Sequence, residues 1–393
     1  MNSDLLSKNE NLKNYDDDSE KIEDNNLLGY DISVFYNTYN LSVLMKWIEK
    51  GKLIVPEFQR SYTWDKKQAS SFIDSLLRGF PIPSLFIYED RDTDKYLIVD
   101  GQQRLLSLHK YITGKFNKEE KPFKLIGESI HKKWVDKAFN ELGDDKDKLE
   151  DTLLNITTIR QVKTDGDRTS IYIIFQRLNT GGTPLKAQEV RMAISYGELA
   201  KYIDEISNRT VFSKWSFLTT EKEKNSNNNY RIQEFLLKIF AFYFEYVNGT
   251  LSGGSMRGFL DIFFDKEKNF DNPIKKDGSL KYYSKSEFEK IYYIIENVVD
   301  ELDEADLSPF GEKPMLSFAV AVLIGIVYYY INVNPSERIN YSIIKKSIPK
   351  WKTKIGIQKF EELFQPRRTS LGSVKEQIEA SIEFFKEVLN GKT

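Results

Sequence analysis

The pattern of apolar and polar positions divides the chain into two parts near residue 195. In the first part, short apolar runs with many β-branched residues alternate with segments that have helical spacing. The runs predicted as strands are residues 53–55, 84–88, 96–99 and 156–162. The segments predicted as helices are residues 41–50, 65–79, 102–112, 134–142 and 167–178, and another that follows Pro184. Residues 143–151 are predicted as a charged loop.

Beyond residue 195 nearly every apolar segment has helical spacing. The helical candidates are residues 232–247, 256–264, 288–299, 315–331, 341–348 and 374–389. The sequence therefore predicts an α+β domain at residues 29–195 and an all-α helical domain at residues 196–393. Residues 1–28 carry eight acidic residues against three lysines, which predicts a disordered acidic tail.

The amino-acid composition excludes several classes of function. The chain has no cysteine, which excludes disulfides, thiolate catalysis and cysteine metal sites. Its formal net charge is −2, so contact with nucleic acid would need a local basic patch. The apolar run at residues 316–331 is shorter than the roughly 20 residues of a membrane span, and we expect a buried core helix there. We expect a cytoplasmic protein without a membrane partner.

The stretch DGQQR at residues 100–104 follows a predicted buried strand and begins a helix. Gly101 permits a sharp turn, which places Gln102, Gln103 and Arg104 in the first helical turn. Backbone N–H groups point outward at such a helix end and form an anion site. The alternative interpretation is a capped helix with ordinary polar residues on its surface.

Two further motifs join an amide side chain to an arginine. Residues 56–60 read PEFQR, and residues 175–182 read FQRLNTGG. A pocket that contains Arg60, Arg104 and Arg177 would bind a triphosphate or a nucleic-acid phosphate.

The three motifs, in this order, resemble the N-terminal domain of GmrSD-type restriction systems, placed in the ParB/sulfiredoxin-like superfamily. The resemblance covers about residues 35–195. It implies a ParB/sulfiredoxin-like nucleotide-binding fold and a role in bacterial anti-phage defence. By their positions in the motifs, the resemblance implies two sets of site residues. The residues with an implied catalytic role are Asp100, Gln102, Gln103 and Arg104. The residues implied to bind the nucleotide are Gln59, Arg60, Gly101, Arg177, Asn179, Gly181 and Gly182.

The expected function is binding, and hydrolysis, of a nucleoside triphosphate with Mg²⁺. Asp100 would coordinate the metal or cap the helix, and Gln102 or Gln103 would orient the attacking water. Many relatives carry a C-terminal HNH nuclease, but both histidines of this chain, His109 and His131, lie in its first part, so we expect no HNH nuclease here. Two alternatives remain: a non-catalytic sensor of DNA or nucleotide, and a metal-dependent nuclease in the same fold. The expected partners are DNA and a separate nuclease or effector subunit, and a homodimer is also left open.

One local basic patch lies near the end of the chain. Residues 341–360 contain six lysines, no acidic residue and Trp351. The candidate DNA contacts are Lys345, Lys346, Lys350, Lys352 and Lys354. A solvated helix face without a nucleic-acid partner is the alternative.

We predict that a chain beginning near Gly29 melts at the same temperature as the full chain, because the acidic tail has too few apolar residues to bury. Calorimetric melting of the two proteins is the measurement. A large loss of stability in the shorter chain would mean that the tail docks on the folded part.

Overall fold

A computed structural model gives the fold of most of the chain. It describes residues 32–55, 62–90, 94–116, 121–161, 174, 177–178, 186–195, 197–218, 229–251, 256–267, 283–309, 314–365 and 370–391. The acidic tail, the PEFQR motif and most of the FQRLNTGG motif lie outside these residues.

The first part of the chain is built on a mixed sheet of five strands, counted within the described residues. The strands are β1 (Ile32–Asn40), β2 (Leu53–Ile54), β3 (Leu85–Asp90), β4 (Lys95–Asp100) and β5 (Leu153–Gln161). Their order across the sheet is β1-β5-β3-β4-β2, so β1 and β2 are its two edges. The pair β3 and β4 is antiparallel, as the sequence predicts, and β2 runs parallel to β4.

Helices cover both faces of this sheet, because successive strand residues point to opposite sides. Leu85, Ile87 and Ile98 form one core with the helices α1 (Leu41–Glu49), α2 (Lys66–Leu77) and α3 (Gln102–Ile112). Tyr88, Leu97 and Val99, on the other side, pack with the later helix α5 (Ala187–Ile194). The predicted α+β class of this part is confirmed.

Two predictions between residues 134 and 151 are wrong. Residues 134–142 form turns and one short 3₁₀ helix, Phe139–Glu141, whereas the predicted loop contains helix α4 (Asp145–Glu150). The reason is a tertiary contact: the buried Asp145 carboxylate accepts a hydrogen bond from Trp134 Nε1 at 2.8 Å and pairs with Lys133 and Lys148. These bonds hold the indole against α4 and override the local helical preference of the Trp134 segment.

The second part of the chain is helical, as predicted, and its helices share one apolar core. The helices after α5 are α6 (Glu198–Ser207), α7 (Tyr230–Val247), α8 (Met256–Lys266), α9 (Lys285–Glu301), α10 (Leu316–Tyr328), α11 (Tyr341–Ile355), α12 (Ile357–Leu363) and α13 (Leu371–Leu389). Helices α6 and α12 were not predicted, and α11 continues through Pro349 beyond its predicted end.

Helix α10 lies at the centre of this core. The segment Leu316–Val333 is long and apolar enough to cross a membrane by length and composition, yet 67% of it is buried inside the fold. It crosses α13 closely at Gly325, where an added Cβ would lie 2.3 Å from Ser381 Oγ. The hydroxyl of Ser381 donates to the carbonyl of Ala321 at 2.7 Å, so the two helices are also joined by a buried hydrogen bond.

Helix α5 belongs to both parts of the structure. Val190 and Ile194 pack on the sheet, and Met192 joins the helical core. Arg191 is 2% exposed, and its Nε donates to Asp261 of α8 at 2.5 Å. Its Nη1 lies 3.6 Å from Glu234 of α7, which also pairs with Lys238.

This arrangement buries charge between three helices. Burial alone would raise the pKa of Glu234, but Lys238 and Arg191 lower it to about 2. The carboxylate therefore stays ionised at neutral pH, and the charges at the junction of the two parts compensate one another. The predicted domain boundary after residue 195 stays a prediction, and α5 contributes to the cores on both sides of it.

Replacing Arg191 with Ala should lower the free energy of unfolding by about 3–5 kcal/mol, because Asp261 and Glu234 would lose their buried partner. Arg209→Ala is the matched control, since Arg209 pairs with Glu205 and Glu296 on the surface and its loss should cost less than about 1 kcal/mol. Denaturant unfolding measures both. Equal losses in the two variants would contradict a structural role for the buried pair.

Candidate functional site

Strands β2 and β4 are parallel, so their carboxyl ends lie at the same end of the sheet. Asp100 ends β4, and the DGQQR motif continues from it into α3. The PEFQR motif begins two residues after the end of β2, and its own residues lie outside the described part of the chain. The DGQQR motif therefore lies at the end of the sheet where β4 terminates, and the PEFQR motif follows, in the sequence, the strand that ends beside β4.

Gly101 makes the turn between β4 and α3. Its φ of 95° lies in the left-handed region that disfavours side chains. A Cβ at this position would also lie 2.2 Å from Leu85 Cδ2, so the backbone packs closely against this buried side chain of β3. Gly101 is the N-cap of α3 and has no side chain with which to cap this helix end. The positive end of the α3 dipole therefore lies at the end of the sheet where β4 terminates.

Arg104 binds groups of the protein itself. Its Nη2 donates to Asp100 Oδ2 at 2.8 Å, and its Nη1 donates to the carbonyls of Pro83 and Ser84. Burial lowers the pKa of Arg104, and the Asp100 carboxylate opposes that shift. The guanidinium therefore joins the segment before β3 to the start of α3. The phosphate contact expected of Arg104 stays a prediction, and it would require the guanidinium to exchange one of these partners.

Gln103 connects α3 to the chain that follows the PEFQR motif. Its Oε1 accepts hydrogen bonds from the backbone N–H groups of Thr63 at 3.0 Å and Trp64 at 3.3 Å. The hydroxyls of Tyr62 and Ser107 lie 2.8 Å apart, one turn further along the same helix face. These bonds hold residues 62–64 against α3.

Lys110 completes this face of the helix. Its Nζ lies 4.6 Å from the centre of the Tyr62 ring, within the range of a cation–π interaction. Burial lowers the pKa of Lys110, and burial also raises the pKa of Tyr62 against the effect of its hydrogen bond with Ser107. Gln103, Ser107 and Lys110 follow one another at spacings of four and three residues. This spacing is the sequence signal for a polar stripe on one face of α3, and it lies partly outside the DGQQR motif.

The other predicted site residues divide into two groups. The first group lies within the described residues. Asp100 has 38% of its side chain exposed, and Gln102 is half-buried. Arg177 is exposed, and its neighbour Leu178 packs on the side of the sheet that α5 covers. Outside the described residues lie Gln59, Arg60, Asn179, Gly181 and Gly182. No cluster of three or more histidine and acidic side chains suited to a metal ion occurs in the described part of the chain.

The lysine-rich stretch forms α11 and the start of α12. Trp351 is fully buried among Phe318, Phe360 and Phe384, so its indole does not share the surface of the lysines. Lys345 pairs with Asp303 at 2.6 Å, and Lys352 and Lys354 pair with Glu361 and Glu387 at 3.3 and 2.9 Å.

Lys346 and Lys350 are exposed on the same helix. Ion pairing of the other three lysines favours the solvated-face interpretation, because a paired ammonium must exchange its partner before it neutralises a phosphate.

One comparison with known proteins identifies a family. Residues 41–196 match the sequence model of the family described as GmrSD restriction endonuclease, N-terminal domain. This match confirms the resemblance that the three motifs indicated. No curated protein matches the chain. A solved structure of a Pnob8-like ParB-N domain is similar to it at 14% identity over 84% of this chain and 99% of that chain, with a TM-score of 0.20, which is too low to support an argument.

We expect Gln103→Leu to release residues 62–64 from α3, since each lost hydrogen bond contributes about 0.5–1.5 kcal/mol. Amide hydrogen exchange of Thr63 and Trp64 should become about tenfold faster. Gln103→Glu keeps the accepting oxygen and should retain protection. Unchanged exchange in the leucine variant would show that Gln103 does not hold this segment.

Proposed function

Because residues 41–196 match the N-terminal domain of GmrSD restriction endonucleases, we propose that the chain is a restriction-type defence protein that binds and hydrolyses a nucleoside triphosphate. The nucleotide would bind where β4 passes into α3. Its binding would be coupled through the helical part to DNA or to a separate effector subunit.

The observation that carries this proposal is the pair of hydrogen bonds that the backbone N–H groups of Thr63 and Trp64 donate to Gln103 Oε1. They keep the chain that follows PEFQR beside the first turn of α3. The anion-binding end of a helix and the Asp100 carboxylate therefore lie beside the segment that follows Arg60 in the sequence. Such a combination is suited to a phosphate chain with a divalent cation.

Each residue would have a distinct role. Backbone N–H groups of the first turn of α3 would bind phosphate oxygens, with Arg60 and Arg177 supplying positive charge. Gln102 would orient a water molecule at the terminal phosphate. Arg104 would position Asp100 through its 2.8 Å bond, and Gln103 would position the PEFQR segment.

Mg²⁺ fits this set of residues. The ion is usually bound by one or two carboxylates together with phosphates and waters. Asp100 provides one carboxylate, and its Oδ1 is the oxygen not used by the bond to Arg104. Bound Mg²⁺ would neutralise charge on the phosphates.

The junction at α5 supports coupling to the helical part. Helix α5 begins shortly after the FQRLNTGG motif and carries Arg191 into the helical core. A shift of this motif on nucleotide binding would act on α5, whose charged contacts reach α7 and α8. DNA sensing or effector binding by the helical part is the proposed output.

Gln102→Ala should reduce phosphate release about 100-fold, because the residue would act on the reacting water. Gln358→Ala, on the exposed side of α12, is the control. Phosphate release is measured with each nucleoside triphosphate and Mg²⁺, with and without DNA. Absence of both phosphate release and thermal stabilisation with every nucleotide would overturn the proposal.

Arg104→Ala separates positioning from phosphate contact. Loss of its bonds to Asp100 and the two carbonyls should lower the stability of the nucleotide-free protein by about 1–3 kcal/mol. If Arg104 also contacts phosphate, the stabilisation by nucleotide disappears as well. A variant that melts early and is still stabilised by nucleotide would limit Arg104 to positioning. Stabilisation of wild type without phosphate release would favour the non-catalytic sensor.

A further inference from the structure

Strand β1 is an edge of the sheet with unusual composition. Its nine residues, ISVFYNTYN, include no charged residue, no proline and no glycine. They pair with β5 in one continuous antiparallel register from Ile32 opposite Gln161 to Asn40 opposite Leu153. No bulge interrupts this ladder in the described residues.

The middle of β1 is exposed on both faces. Tyr36 is 81% exposed, and Val34 and Phe35 are about 40% exposed. The nearest charged side chain on β5, Arg160, is already paired with Glu89 and lies over the Phe35 ring at 4.7 Å. The surface offered by β1 is therefore an uncharged strand edge flanked by aromatic and β-branched side chains.

Soluble proteins usually protect such an edge. Charged side chains, prolines, bulges or a covering element prevent the unpaired backbone groups from pairing with another strand. None of the first three occurs on β1. The other edge differs, since β2 is only two residues long and is a poor template for pairing.

We infer that β1 pairs antiparallel with β1 of a second copy of this chain, which continues the sheet across a two-fold axis near Tyr36. An uncharged edge offers no attraction to an acidic or a basic strand, and it meets its own copy without like-charge repulsion. Tyr36 is the middle residue of the nine, so an axis at this residue uses the full strand. Val34 of one copy would then lie opposite Thr38 of the other, a pair of β-branched side chains of the kind that stabilises sheets.

The first test is the mass in solution. The full chain should sediment at twice 45.9 kDa in the micromolar range. Tyr36→Lys places two like charges at the axis and should shift the mass to that of one chain. Tyr293→Lys, at a 63% exposed aromatic position of α9, is the matched control and should remain a dimer. A monomeric wild type, or a dimeric Tyr36→Lys variant, would overturn the inference.

The second test uses the absence of cysteine and does not depend on how well the lysine variant folds. Directly opposed residues of antiparallel strands have Cα atoms about 4.5–5.5 Å apart, which is within the range of a disulfide. Tyr36→Cys, at the axis, would lie opposite the same residue of the second copy and has no other thiol within the chain with which to react. Under mild oxidation it should form a covalent dimer at much higher yield than Tyr293→Cys. Val34→Cys alone should stay at the level of this control, because Val34 would lie opposite Thr38, whereas a mixture of Val34→Cys and Thr38→Cys should cross-link. A yield of Tyr36→Cys no higher than that of Tyr293→Cys would overturn the inference.

Discussion

The structure depends on one buried ion pair at the junction of its two parts. Arg191 of α5 is nearly inaccessible, and it is compensated by Asp261 and Glu234 on two other helices. A guanidinium in an apolar interior is tolerated when its partners surround it, so the three helices must keep their mutual arrangement. Val190 and Ile194, on the same short helix, press against the sheet. Helix α5 therefore contacts the sheet with one face and the helical core with another.

A second constraint acts at the end of the sheet where β4 terminates. The turn at Gly101 requires a residue without Cβ, both because of its positive φ and because the backbone passes so close to Leu85. Arg104 and Gln103 then use their polar groups on neighbouring backbone. Two side chains that belong to a recognisable motif therefore also have a structural task. Preorganisation of this kind is what a binding site for a charged ligand needs, because flexible loops would have to be ordered at the moment of binding.

The helices and strands that sequence analysis predicted well share a strong local signal. Helix α2 has an Asp65 N-cap, an apolar stripe and a capping box with Gln68. Strand β4 is a short apolar run closed by Asp100 and Gly101. The wrong assignments lie where a distant partner decides the conformation, as Asp145 does for Trp134. Strand β1 was not predicted, because its exposed middle has no alternation of buried and exposed residues.

Short-range sequence patterns were sufficient to predict the class of the fold and the turn that begins α3. Apolar periodicity and glycine chemistry act over a few residues and need no knowledge of the remaining chain. Only the tertiary structure decided the partners of the charges. It directed Arg104 towards Asp100 and the backbone, buried Trp351 away from its lysines and surrounded Arg191 with acids from α7 and α8. The physical reason is that an electrostatic partner is chosen by distance in space, and residues 70 positions apart become neighbours only after the chain has folded.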